Sequence, residues 1–299
     1  MWKVIGAALA VLVLSACGRQ DAAEQVPAYD FSKDSYIWLE EVEGEKALAW
    51  VEEQNATSLG HLESLPTYDP LRKRNLEIYN SDERIATPAM RGDYVYNFWR
   101  DEDNIRGRWR RMLLDGYVEG SEEWELVLDV DKLAEGENED WVWKGAQCLR
   151  PEYRRCLLNL SRGGADAVVV REFDVETKTF VMDGFSIPEA KHRVSWIDEN
   201  AVWVGSDFGE KSLTDSGYPR TARLWKRGEP IEEATEVFAG EQTDVAAGVY
   251  RIWDRDESYD LAYRTPSFFE TLNYLYTGDG EFAHIDIPED ADFLGVMNG

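Results

Sequence analysis

Apolar and polar positions change their rhythm once along the chain. From about Glu45 to Leu62, Leu48, Val51, Leu59 and Leu62 recur at spacings compatible with one helical face, with Glu-rich positions on the other, which predicts an amphipathic helix. A second helix is predicted at Asp69-Pro70, with Asp69 as N-cap and Pro70 in the first helical position, ahead of Leu71, Leu76, Ile78 and Tyr79. After Ser81 this spacing gives way to short aromatic or β-branched runs separated by Gly, Asp, Asn and Pro. They are Tyr94 to Trp99, Arg108 to Leu114, Trp124 to Val130, Trp141 to Trp143, Arg155 to Leu160, Ala167 to Phe173 and Thr179 to Met182. The strands continue with Arg193 to Trp196, Ala201 to Gly205, Ala222 to Lys226, Thr235 to Phe238, Gly248 to Trp253, Tyr259 to Arg264, Thr271 to Tyr276 and Phe282 to Ile287, and no helical pattern interrupts them. Units beginning near Trp141, Val194 and Val249 recur about every fifty residues, which fits propeller blades of four antiparallel strands. A β-sandwich would also give many short strands, but one needs only about a hundred residues and would have to be used twice. The predicted fold is therefore mainly β, about four β-propeller blades preceded by two short helices.

The amino terminus has a pattern of its own. Met1 to Ala16 carry one Lys, then an apolar run from Val4 to Leu14, then Leu14-Ser15-Ala16-Cys17, which reads as a secretory signal ending in a lipoprotein cleavage box. The alternative is an uncleaved anchor, for which the apolar run falls short of the roughly 18–20 residues that span a bilayer. On the first reading residues 1–16 are removed and the thiol of Cys17 takes the lipid. Residues 17–34 then form a polar tether with few apolar groups to bury. Gly18 rather than Asp after the cysteine resembles the outer-membrane address of bacterial lipoproteins, so the expected location is periplasmic and lipid-anchored.

Lys plus Arg number 32 against 59 Asp plus Glu, a formal charge of −27 that disfavours nucleic-acid binding. Twelve Trp, fourteen Tyr and eleven Phe supply enough apolar payload for a globular body despite the acidity. Besides Cys17 there are Cys148 and Cys156, which flank the polar connection Leu149 to Arg155 between two strand-like runs. Compartment and spacing point to a disulfide, and two separate reduced thiols packed as small hydrophobes are the alternative. His61, His192 and His284 lie far apart in sequence and neither Cys148 nor Cys156 has a nearby His, so no zinc spacing exists and nothing in the sequence requires a metal or cofactor.

Several segments, in order along the chain, carry a resemblance. Trp38-Leu39-Glu40-Glu41 and Trp50-Val51-Glu52-Glu53-Gln54-Asn55 are similar to the amino-terminal arm of prolyl oligopeptidase-family serine peptidases, and Arg91 to Arg100 resembles their first propeller strand. Arg171-Glu172-Phe173-Asp174, Asp183 to Lys191, Val204 to Gly209, Ser212 to Arg220 and Trp225 to Gly228 resemble a bacterial, exported subgroup. The resemblance implies a helical arm belonging to the hydrolase domain over residues 35–80 and the first part of a seven-bladed propeller over 81–299. It also implies a Ser, Asp and His mechanism acting on short peptides, with cleavage after proline as the family's typical preference. The chain ends at Gly299, too short for the α/β-hydrolase domain that carries the chemistry, so it is expected to be an amino-terminal portion, silent alone. The competing expectation is a non-catalytic periplasmic lipoprotein whose propeller-like domain binds a partner.

Motifs within the chain fit this division. No Gly-x-Ser-x-Gly elbow is present: Gly184-Phe185-Ser186-Ile187-Pro188 lacks the closing Gly and reads as a loop, and Ser161-Arg162-Gly163-Gly164 has Asn159 in place of the first Gly and reads as a hairpin turn. None of the three histidines has a recognisable nucleophile partner in sequence, so no catalytic residue is assigned. Asp207-Phe208-Gly209 reads as a propeller turn, and Asp129-Val130-Asp131 lacks the Gly and distal Glu of a calcium loop. Phe98-Trp99 and Trp141-Val142-Trp143 are expected to pack between blades.

Overall fold

A computed structural model describes residues 33–297 apart from 42, 84, 86 and 279. The signal segment and Cys17 lie outside the described residues. The chain divides into two compact units between Arg74 and Asn75.

In the first unit a 3-10 turn, Ile37–Glu40, precedes α1 (Glu45–Glu63). The indoles of Trp38 and Trp50 meet edge to face at 6.3 Å, and Lys46 Nζ stands 3.9 Å over the Trp38 ring, so the tryptophans fasten the turn to the helix. Of the residues of α1 only Ala47 is buried; the predicted apolar face at Leu48, Val51, Leu59 and Leu62 is 42–49% exposed. The second helix, α2 (Tyr68–Asn80), starts one residue before Asp69, so Asp69 is a first-turn acid rather than the N-cap. Pro70 still falls in the first turn, where a missing N–H costs no hydrogen bond. No helix among the described residues is long and apolar enough to cross a membrane.

The second unit holds four antiparallel sheets in chain order. The first contains β1 (Ala89–Arg91), β2 (Tyr94–Trp99), β3 (Arg108–Leu113) and β4 (Glu125–Asp129). The second contains β5 (Trp141–Cys148), β6 (Arg155–Arg162), β7 (Val168–Asp174) and β8 (Thr179–Phe180), with β9 (Ser186–Ala190) also pairing with β7. The third runs β10 (Arg193–Asp198), β11 (Ala201–Gly205), β12 (Thr221–Lys226) and β13 (Thr235–Ala239). The fourth runs β14 (Ala246–Asp254), β15 (Glu257–Ser267), β16 (Glu270–Gly278) and β17 (Glu281–His284). Two short helices interrupt the strands, against expectation: α3 (Leu114–Val118), and α4 (Val130–Glu137), whose N-cap Asp129 accepts from Lys132 N at 3.1 Å.

The sheets stack face to face, and the two-residue period of each strand decides which neighbour a side chain meets. On β6, Cys156 and Leu158 pack toward the first sheet with Tyr96, Trp109 and Val127, whereas Leu157 joins Val170, Val194, Val202 and Val204 on the side of the third. On β11, Val202 and Val204 face the second sheet, and Trp203 packs with Val249 and Ala262 of the fourth. Both faces of the middle sheets are thus buried. First strands lie beside one another, β10 next to both β5 and β14, as the inner strands of a propeller do. Polar links cross the same seams: Trp196 Nε1 donates to the Gln147 carbonyl at 2.9 Å, and Trp203 Nε1 to Asp260 at 2.7 Å. Glu172, almost fully enclosed, takes two hydrogen bonds from Arg227 at 2.8 and 3.1 Å and one from Phe185 N at 2.8 Å. The fold is mainly β, four blades of a propeller, and among the described residues there is no doubly wound α/β domain.

Candidate functional site

Cys148 and Cys156 are directly opposite partners on β5 and β6 and are joined by a disulfide, with Cα atoms 3.9 Å apart. Ser161 is the penultimate residue of β6, and its hydroxyl donates to the Ala165 carbonyl at 2.7 Å; Gly163 and Gly164, at φ +63° and +89°, make the turn itself. Ser186 opens strand β9 and is not in a loop. Asp207 accepts from Gly209 N at 2.9 Å, the turn read in the sequence. The Asp129 carboxylate caps α4 and that of Asp131 takes the Arg106 and Gly107 amides at 3.0–3.1 Å, so both are occupied by backbone. His61 is exposed on α1, and His284 on β17 stacks edge-on to Tyr274 at 5.4 Å.

His192, between β9 and β10, has a partner that the linear sequence does not show. Its Nδ1 lies 3.3 Å from Ser206 Oγ, just past the end of β11, with both residues buried. The pair does not have the geometry of an activated nucleophile: Ser206 is enclosed, and Nε2, where a carboxylate would orient the imidazole, makes no hydrogen bond. Burial pushes the His192 pKa down to about 4; the Val168 carbonyl beside the ring opposes this and the Arg193 charge adds to it.

His192 lines a cavity of about 280 Å³ formed where the second and third sheets meet. Lys144 and Gln147 come from β5, Asn159 from β6, Val168 from β7, Arg193 and Val194 from β10, and Tyr218 from the loop before β12. Lys144 Nζ donates to the Gly164 carbonyl at 3.1 Å. Lys191 Nζ stands 4.3 Å over the Tyr218 ring, and the Arg193 guanidinium stands 5.9 Å from the same ring. Arg193 Nε also donates to Tyr263 Oη at 3.1 Å. Gly248 makes room for that phenol, since a Cβ there would come within 2.9 Å of the Tyr263 ring. Among the described residues no carboxylate lies within 4.0 Å of Lys144, Lys191 or Arg193. A second cavity of about 290 Å³ is lined by Glu189, Asp207 and Glu232 together with Arg223, which stacks on Phe208 at 3.9 Å. Both cavities offer groups that bind and orient, and neither brings a nucleophile, base and orienting acid together.

Face-stacked antiparallel sheets of four or five strands define a β-propeller domain. The family model described as "Prolyl oligopeptidase, N-terminal beta-propeller domain" matches residues 16–259, and the chain belongs to the prolyl oligopeptidase family through that domain. It is 37% identical over 274 residues to the uncharacterized peptidase y4nA of Sinorhizobium fredii, covering 90% of this chain and 38% of that protein. It is 28% identical over 288 residues to the uncharacterized peptidase RP174 of Rickettsia prowazekii, covering 92% and 40%. Among solved structures, a post-proline cleaving enzyme from Rickettsia typhi superposes with a TM-score of 0.76 at 28% identity, over 85% of this chain and 38% of that one. The chain thus spans about two fifths of the length of the relatives it matches.

Proposed function

We propose that this chain is the propeller part of a serine peptidase that hydrolyses short peptides, with the nucleophilic Ser, the Asp and the His supplied by a carboxy-terminal α/β-hydrolase domain. The observation that carries this reading is the family match over residues 16–259, laid across stacked blades in a chain similar to peptidases. In that arrangement the serine attacks the peptide carbonyl while the histidine takes its proton, and backbone donors hold the oxyanion. The propeller covers the site and admits short, flexible peptides while excluding folded proteins. A preference for proline is supported by the similarity to the post-proline cleaving enzyme of Rickettsia typhi. The test is to assay the 299-residue chain beside a form extended through the downstream reading frame on proline-containing peptides. Turnover is expected only from the extended form; turnover by the short form, or a stop codon directly after Gly299 with a stable monomeric product, overturns the reading in favour of a binding module.

Export and lipid anchoring at Cys17 belong to the same proposal, with the Leu14-Ser15-Ala16-Cys17 box and a Cys148–Cys156 disulfide suited to an oxidising compartment in support. Metabolic labelling with a radioactive fatty acid is expected to mark the wild type and not Cys17→Ala. Equal labelling of both would remove Cys17 as the anchor.

A further inference from the structure

The chain carries 59 acidic residues against 32 basic ones, so a random cation on its surface meets carboxylates more often than not. Lys144, Lys191 and Arg193 meet none among the described residues, although all three line the cavity between the second and third sheets. Each is engaged only by neutral groups: a carbonyl at Lys144, the Tyr218 ring at Lys191, and at Arg193 that ring, the Tyr263 hydroxyl and the His192 carbonyl. Asp166 is the one acid lining the cavity, which leaves those walls a net charge of +2.

His192 is 8% exposed, lines the cavity, and leaves Nε2 without a hydrogen bond. Ser206 Oγ and His192 Nδ1 share a hydrogen bond whose direction follows the ring tautomer, and the Val168 carbonyl lies beside the ring. Few buried polar atoms are left so in a folded protein, which makes His192 the wall residue with an unmet hydrogen bond. Val168, Val194 and the face of Tyr218 give the remaining walls an apolar character.

We propose that this cavity is a subsite for the carboxylate of a short peptide, held by Lys144, Lys191 and Arg193, with the side chain beside that carboxylate resting on the apolar wall. A net charge of +2 with an acid at the rim suits one carboxylate better than a polyanion. The peptide nature of the ligand rests on the peptidase reading; the carboxylate chemistry does not.

The test is calorimetric titration of the 299-residue chain, which reads binding without turnover and so fails or succeeds independently of the peptidase assignment. The probes are the tripeptide Ala-Pro-Ala with a free carboxylate, its carboxamide, and inorganic phosphate. The free acid is expected to bind at millimolar concentration or below, and the amide about tenfold more weakly or worse. Phosphate is expected not to displace the acid at equal concentration. Lys191→Gln with Arg193→Gln is expected to abolish the preference for the acid with an unchanged melting temperature, and Lys144→Gln, on an exposed position of a different strand, to weaken binding of the acid alone. Equal binding of acid and amide, undiminished binding by both variants, displacement by phosphate, or no binding of the acid each overturns the proposal.

Discussion

The imidazole of His192 takes up a proton near pH 4 in the folded chain and near pH 6.5 in the unfolded one, because its buried site cannot solvate the cation. Between those values the unfolded state holds more protons, so stability falls as pH is lowered through that window and changes little on this account above it. The full difference is about 3 kcal/mol, given the shift to about 4 from 6.5. Urea unfolding between pH 7 and pH 4 is expected to show this loss in the wild type and a shallower dependence in His192→Gln. Parallel slopes would mean that the ring is not held neutral by burial. Its pairing with Ser206 was hidden from sequence reading because fourteen positions and a strand pair separate the two residues. Lys191 and Arg193 flank His192 in the sequence, but each looks like an ordinary surface charge until the sheets bring Lys144 of β5 to the same cavity.

Elements show where local pattern suffices and where it does not. Strands dense in aromatic and β-branched residues, such as β2, β7 and β11, were legible because each buries alternate or successive large side chains between sheets. The ones that escaped have no such composition. Strand β1 is Ala-Met-Arg, and β9 contains Pro188, which an edge position beside β7 tolerates since no ladder donor is needed there. Helix α4, eight residues long, is too short to display a period, and its only local signal is the Asp129 cap. On β6 the alternation has a measurable consequence. Leu157 is fully enclosed between the second and third sheets, and Leu157→Ala is expected to destabilise by about 3 kcal/mol through lost burial and the cavity left behind. Chemical denaturation checks it; a loss well under about 1 kcal/mol would mean that this seam is not packed as described.

At the scale of the whole molecule, the fifty-residue recurrence along the chain became four stacked sheets because each blade has two apolar faces and can bury them only against other blades. The arm behaved differently: its predicted apolar face formed as a helix face and stayed largely exposed, so periodicity fixed the element without supplying its cover. We propose that recognition takes place at a seam between blades and the chemistry in another domain, a division of labour between the two. Labelling with a fluorophosphonate, which reacts with activated serines, followed by mass spectrometry to locate the adduct, tests it most directly. The expected result is no adduct within residues 1–299 and one stoichiometric adduct on a serine encoded beyond them in the extended form. An adduct on a serine of this chain, Ser206 beside His192 above all, would contradict the account.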